Sequence, residues 1–404
     1  MAAHPDRDAY RLLPQRPSRG RTTLLGLLFA LGLWLVSHPS ALLAQAAPSD
    51  WEQALSEFAS EVARGVKADG VGGITAGVVV GRDVVWAQGF GWADVERRIP
   101  AGVNTIYRVG SISKSFTAVA LLQLWERGFL DLDDEVVEAV PELADLADRP
   151  DGAMPITFRQ MASHTAGLIR EPELEGATDG PLEFWEDKIL ASIPTTSFYA
   201  APGESYSYSN IGFGILGFSL SRVTGIPFME LVDASIIRPL GMHSSGFVVT
   251  PAVAEQLATG YVLRRDGSVD AEPPYREHVG RGYKVPNGGV YSTVGDLGRF
   301  VAGLTGAATV PILGPEGRRL VRTSQTPEGE PLYSFGFSIS SAPGAPDLVG
   351  HGGSVAGYNA HLVFEPESGI GVVLLRNYGG GELNLGVAAK DLLWRLVEIG
   401  FNPS

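Results

Sequence analysis

The sequence predicts an α+β fold: an antiparallel sheet flanked by helices, with an inserted, mostly helical lobe. Three observations predict it, namely a hairpin pattern near the start of the chain, a second near its end, and a helical middle broken by Gly- and Pro-containing connections. Trp51, Leu55, Phe58, Val62 and Val66 recur every three or four positions, the spacing of one buried helix stripe. Ile74 to Val80 and Val84 to Phe90 are β-branched and aromatic runs, and the short Gly81-Arg82-Asp83 turn makes them antiparallel neighbours. Helical patterns follow around Ser113 to Arg127, Thr157 to Ser163, Ile211 to Val223 and Phe228 to Ile236. The connections at Arg170 to Leu182 and Gly267 to Pro286 exceed ordinary loops and suggest lids or cleft walls. A second pair of strands, Tyr358 to Phe364 and Ile370 to Leu375, precedes a helical stripe through Leu385, Ala389, Leu392 and Leu396. The division that results is a sheet lobe over about 47–110 and 285–404 and a helical lobe over about 111–284, with a cleft between them.

Composition narrows the function. Of 404 residues 45% are hydrophobic and 19% charged, which excludes a disordered or collagenous chain. With no Cys, structural disulfides and a lipoprotein anchor are excluded. Lys plus Arg total 31 against 45 Asp plus Glu, a net charge of −14 that argues against nucleic acid as a partner and weakly disfavours anionic substrates. Five arginines up to Arg21, an apolar run from Leu24 to Val36 and the small-x-small Ala44-Gln45-Ala46 together read as an export leader over residues 1–46. The run is too short for an ordinary bilayer span, so the expected location is the periplasm or the medium with no membrane span left after cleavage; an uncleaved anchor is the alternative.

Chemistry concentrates in three segments. In Gly110-Ser111-Ile112-Ser113-Lys114, Ser111 and Lys114 lie one helical turn apart and share a face. A serine hydroxyl needs a base, and a lysine serves if burial keeps its amine neutral. In Tyr208-Ser209-Asn210, a phenol whose pKa is lowered by a nearby ammonium relays a proton, while Asn210 accepts from Lys114 and donates to a substrate carbonyl. In Gly350-His351-Gly352-Gly353-Ser354, read as the junction between a loop and the strand near Tyr358, the glycines allow a close approach to backbone. There His351 can orient the acyl group or share a proton network, and the N–H groups of Ser354 and Ser111 can form an oxyanion hole. His164, after a short helix, reads as a structural brace. The remaining histidines show no metal-ligand spacing, so no metal or cofactor is expected.

Together the three segments resemble the serine penicillin-recognising hydrolases, and specifically the branch similar to class C β-lactamases and their esterase and peptidase relatives. Met161 to Leu168, Leu240-Gly241-Met242 and Asn287 to Thr293 also look like this family's connecting elements. The resemblance implies a β-lactamase/transpeptidase-like fold, with Ser111 attacking a carbonyl to form an acyl-enzyme, Lys114 and Tyr208 shuttling the proton, and Asn210, His351, Gly353 and Ser354 at the substrate. It departs from the β-lactamase pattern where His351 replaces the usual Lys, which helps hold a substrate carboxylate. A mostly neutral His holds it less firmly, so ester, peptide or amide hydrolysis stands ahead of penicillin turnover. Gly352-Gly353-Ser354-Val355-Ala356 nearly matches the nucleophile elbow of α/β-hydrolases, but a strand pattern follows it where that elbow needs a helix. A penicillin-binding or sensor module of the same fold is the non-catalytic alternative. Substrate identity and oligomeric state are not specified by the sequence.

Overall fold

The computed structural model describes residues 49–400, so the leader expected over residues 1–46 lies outside them. The first helix, α1 (Asp50–Asp69), starts where Glu52 accepts the Ser49 N–H at 2.8 Å and ends on Gly70 in the left-handed region at φ 63°. Of its expected stripe, Leu55, Phe58, Val62 and Val66 are buried and Trp51 is half-buried.

Eleven strands follow among the described residues: β1 (Gly73–Val80), β2 (Asp83–Asp94), β3 (Ile99–Pro100), β4 (Tyr107–Arg108), β5 (Val262–Leu263), β6 (Val269–Asp270), β7 (Tyr291–Ser292), β8 (Ser338–Ser340), β9 (Leu348–Val355), β10 (Tyr358–Glu365) and β11 (Ile370–Arg376). Seven make one antiparallel sheet in the order β3-β2-β1-β11-β10-β9-β8, while β4 pairs with β7 and β5 with β6. The hairpins from opposite ends of the chain meet at its centre, where Ile74 faces Arg376 and Val80 faces Ile370. Strand β11 reads as an unbroken apolar run because both its faces are covered. Ile370, Val372 and Leu374 pack with α1 and the helix Leu385–Glu398, whereas Val373 and Leu375 join the core shared with the central helices.

The middle of the chain is helical as expected, with helices at Phe158–Ala162, Asn210–Thr224 and Phe228–Val232 and a largely buried α2 (Ser113–Glu126). Every residue of α2 from Ser113 to Leu124 is buried. Its polar side chains are paired accordingly: Ser113 donates to Gly110 O at 2.7 Å, Ser115 to Gly336 O at 2.8 Å and Thr117 to Pro286 O at 2.6 Å.

Three expectations differ from the structure in detail. The helix at Phe228 changes to a π-helical turn over Asp233–Ile237. The long connection before Pro286 is not bare loop, since it holds β6 and the helices Glu272–Glu277 and Gly282–Lys284. Gly350 to Ser354 is not a junction but the body of β9. Its glycines let neighbouring backbone approach: a Cβ at Gly350 would lie 2.8 Å from the Val363 Cα on β10.

Candidate active site

Strand β8 pairs with β9 only from Leu348 to Gly350, so β9 beyond that point offers an open edge. The 3-10 turn Gly110–Ile112 that begins α2 fills this space. Gly110 holds φ 53°, and a Cβ on it would stand 2.8 Å from the Ser354 nitrogen. A Cβ on Gly353 would overlap the Val109 carbonyl oxygen and lie 3.2 Å from the Ser111 nitrogen. Two glycines therefore let the backbones at Ser111 and Ser354 touch, as an oxyanion hole made from those two N–H groups requires.

The structure brings Ser111, Lys114, Tyr208 and Asn210 together. Lys114 is 0% exposed, and its Nζ lies 3.1 Å from Ser111 Oγ, 2.7 Å from Asn210 Oδ1 and 3.2 Å from Asn287 O. Burial, reinforced by the Arg170 charge, holds its pKa well below the ordinary ammonium range. A neutral amine has two N–H bonds for the two carbonyl oxygens, which leaves its lone pair for the serine proton. The Tyr208 ring centroid is 4.7 Å from Lys114 Nζ. Its phenol does not behave as the sequence suggested: burial pushes it up to about 12, and a hydrogen bond with Ser111 offsets this only in part. The same dry surroundings that discharge Lys114 remove the ammonium that was to lower Tyr208. Asn210 accepts from Lys114 as expected, and its Nδ2 also donates to Glu171 Oε1 at 2.6 Å.

His351 is 5% exposed on β9. Its Nδ1 lies 2.5 Å from the Gly352 carbonyl, which can only accept, so Nδ1 carries the proton and Nε2 accepts from the Tyr333 hydroxyl at 2.9 Å. Burial pushes its pKa down to about 3, so the ring is neutral across the physiological range. His164 is held at φ 61° with its ring 4.2 Å from the Tyr208 ring, and its Nδ1 accepts the Ser209 N–H at 3.0 Å. It braces the Tyr208-Ser209-Asn210 segment from behind. A cleft of about 680 Å³ runs from Ser111 past Arg170, Tyr208 and His351 to the start of the helix Leu385–Glu398.

A family model described as Beta-lactamase matches residues 58–391. The chain belongs to the beta-lactamase family. It is 30% identical over 302 residues to Protein Rv1367c of Mycobacterium tuberculosis, covering 68% of this chain and 71% of that one. In structure it is similar to the octameric penicillin-binding protein homologue from Pyrococcus abyssi, with a TM-score of 0.70, 29% identity and coverage of 86% of this chain and 78% of that one. It is also similar in fold to a class C beta-lactamase, with a TM-score of 0.71, 19% identity and coverage of 89% and 99%. Membership of this family implies a serine-hydrolase type of function.

In this beta-lactamase-family cleft several polar residues escaped the sequence analysis. Glu171 receives hydrogen bonds from Asn210 and from Tyr283, and lies 3.2 Å from Lys284 Nζ. Asn287 supplies Lys114 with a carbonyl and donates its Nδ2 to Asn210 O at 2.8 Å. The available signal was loop length, because Glu171, Tyr283 and Lys284 sit on the two long connections marked as cleft walls.

Proposed function

We propose that this chain is an exported serine hydrolase acting through an acyl-enzyme on an ester, peptide or amide carbonyl. The observation that carries the proposal is the buried Lys114 amine, 3.1 Å from Ser111 Oγ and anchored by Asn210. Ser111 Oγ attacks the carbonyl carbon, its proton passes to Lys114 Nζ, and the carbonyl oxygen takes negative charge beside the N–H groups of Ser111 and Ser354. As the bond to the leaving group breaks, Tyr208 gives that group its phenol proton and recovers one from Lys114. Water then attacks the acyl carbon. Its proton returns through Tyr208 and Lys114 to Ser111 Oγ as the ester bond breaks, so an acid leaves and each group ends as it began. A phenol that stays protonated fits such a relay better than a standing phenolate. The neutral His351 gives little hold on a carboxylate on its own side of the cleft, which favours ester, peptide and amide substrates over penicillins. Delivery to the periplasm or the medium rests on the leader pattern in residues 1–46.

A fluorophosphonate probe is expected to place one adduct on the Ser111 peptide, read by mass spectrometry, and none in Ser111→Ala. A panel of p-nitrophenyl esters, D-amino-acid peptides and nitrocefin is expected to show turnover of at least one class. Folded protein with neither adduct nor turnover would overturn the proposal, and an adduct without turnover would make the chain a sensor module instead.

A further inference from the structure

On one side of Ser111 the cleft narrows to a cavity of about 150 Å³ between Asn210, Glu277, Arg281, Lys284 and Asn287. Arg281 is 7% exposed and lies flat on Gly288, where a Cβ would come within 2.7 Å of Nη1. Behind it Arg108 is 1% exposed. One carboxylate serves both guanidinium groups: Glu277 Oε2 is 2.6 Å from Arg108 Nη2 and 3.3 Å from Arg281 Nε. Apart from that shared carboxylate, Nε and Nη1 of Arg108 and Nη1 of Arg281 are buried without an acceptor among the described residues. That is an unusual cost to leave standing in a folded protein. Lys284, the third cation, has Glu171 beside it at 3.2 Å. His278, which pairs with the Tyr291 hydroxyl outside this cavity, is pushed down to about 4 by burial and by Arg108, so it is neutral and adds no further positive charge. Burial and the Arg108 charge also push Arg281 down to about 9, which leaves it cationic at neutral pH.

The position of Tyr208 decides what part of a substrate meets this charge. Tyr208, the proton donor to the leaving group, lines the larger cleft and not the small cavity, whereas Asn210 lines the small cavity and not the larger cleft. The leaving group therefore lies along the large cleft and the acyl portion enters the small one. We propose that the small cavity is a carboxylate subsite, so that the favoured acyl group ends in an acid, as in a half-ester or half-amide of a short dicarboxylic acid docked on Arg281 and Lys284. The side of the scissile bond that carries the acid rests on the hydrolase reading; the anion site itself does not. An acidic surface does not oppose this, because the field within a narrow cavity is set by its own walls.

Two measurements on the whole protein test the subsite. In turnover, kcat/KM for mono-4-nitrophenyl glutarate is expected to exceed that for 4-nitrophenyl butanoate at least tenfold. Lys284→Ala and Arg281→Met are expected to cut that ratio at least fivefold, through the KM of the acidic ester. In binding, calorimetry on Ser111→Ala is expected to detect glutarate but not glutaramide, with glutarate affinity falling at least fivefold when Lys284→Ala is added. Equal handling of both esters, or variants that lower both esters by the same factor, would overturn the subsite while leaving the hydrolase reading intact. Glutarate binding without turnover of either ester would instead sink the hydrolase reading alone, and absence of glutarate binding would sink the subsite.

Discussion

Lys114→Met is expected to lower kcat/KM for an activated ester by about 10⁴-fold, the upper range for removing a positioned general base. Methionine is close to lysine in length and apolar, so it suits a position with no exposure, and circular dichroism should report an intact fold. The pH dependence separates loss of the base from loss of shape. A protonated amine cannot accept the serine proton, so wild-type kcat/KM should fall as pH drops through the depressed Lys114 pKa and reach a plateau above it. The plateau should persist to alkaline pH, because Tyr208, held up to about 12, keeps its proton there. His351, near 3, and His278, near 4, are already neutral and contribute nothing to a limb near neutrality. If the residual activity of Lys114→Met kept the same acid limb, the titrating base would be some other group.

Gly353→Ala should cost about 10² to 10³ in kcat/KM, the loss seen when an oxyanion donor is removed. The added methyl would overlap the Val109 carbonyl oxygen and crowd the Ser111 nitrogen, so β9 and the Ser111 turn must part. The rate of fluorophosphonate labelling should fall with turnover, since both reactions place an oxyanion in the same hole. A variant retaining more than a tenth of wild-type activity would show that the close approach of the two backbones is dispensable.

The parts of this protein legible in the sequence are those set by local periodicity. The stripe on α1, the hairpin at Gly81 and the C-terminal strands and helix all follow from spacing that needs no tertiary knowledge. The one-turn separation of Ser111 and Lys114 is of the same kind. By contrast, Gly350 and Gly353 read as part of a loop-to-strand junction, because a sequence does not reveal the facing backbones at Val363 and Val109 that leave no room for side chains. Likewise the Tyr208 phenol was misjudged because burial is a property of the assembled cleft, and it acts on lysine and tyrosine in opposite directions. Nothing near Glu171 in the chain indicates that it will reach Asn210, which lies on another segment.

The pairing of β1 with β11 governs the order in which this molecule can be made. A ribosome releases β1 some three hundred residues before its central partner, and the β9 edge opposite Ser111 emerges almost as late. Nascent chains stopped short of Leu348 would carry Ser111 and Lys114 yet lack that edge, so the proposed oxyanion hole can close only when synthesis is nearly finished.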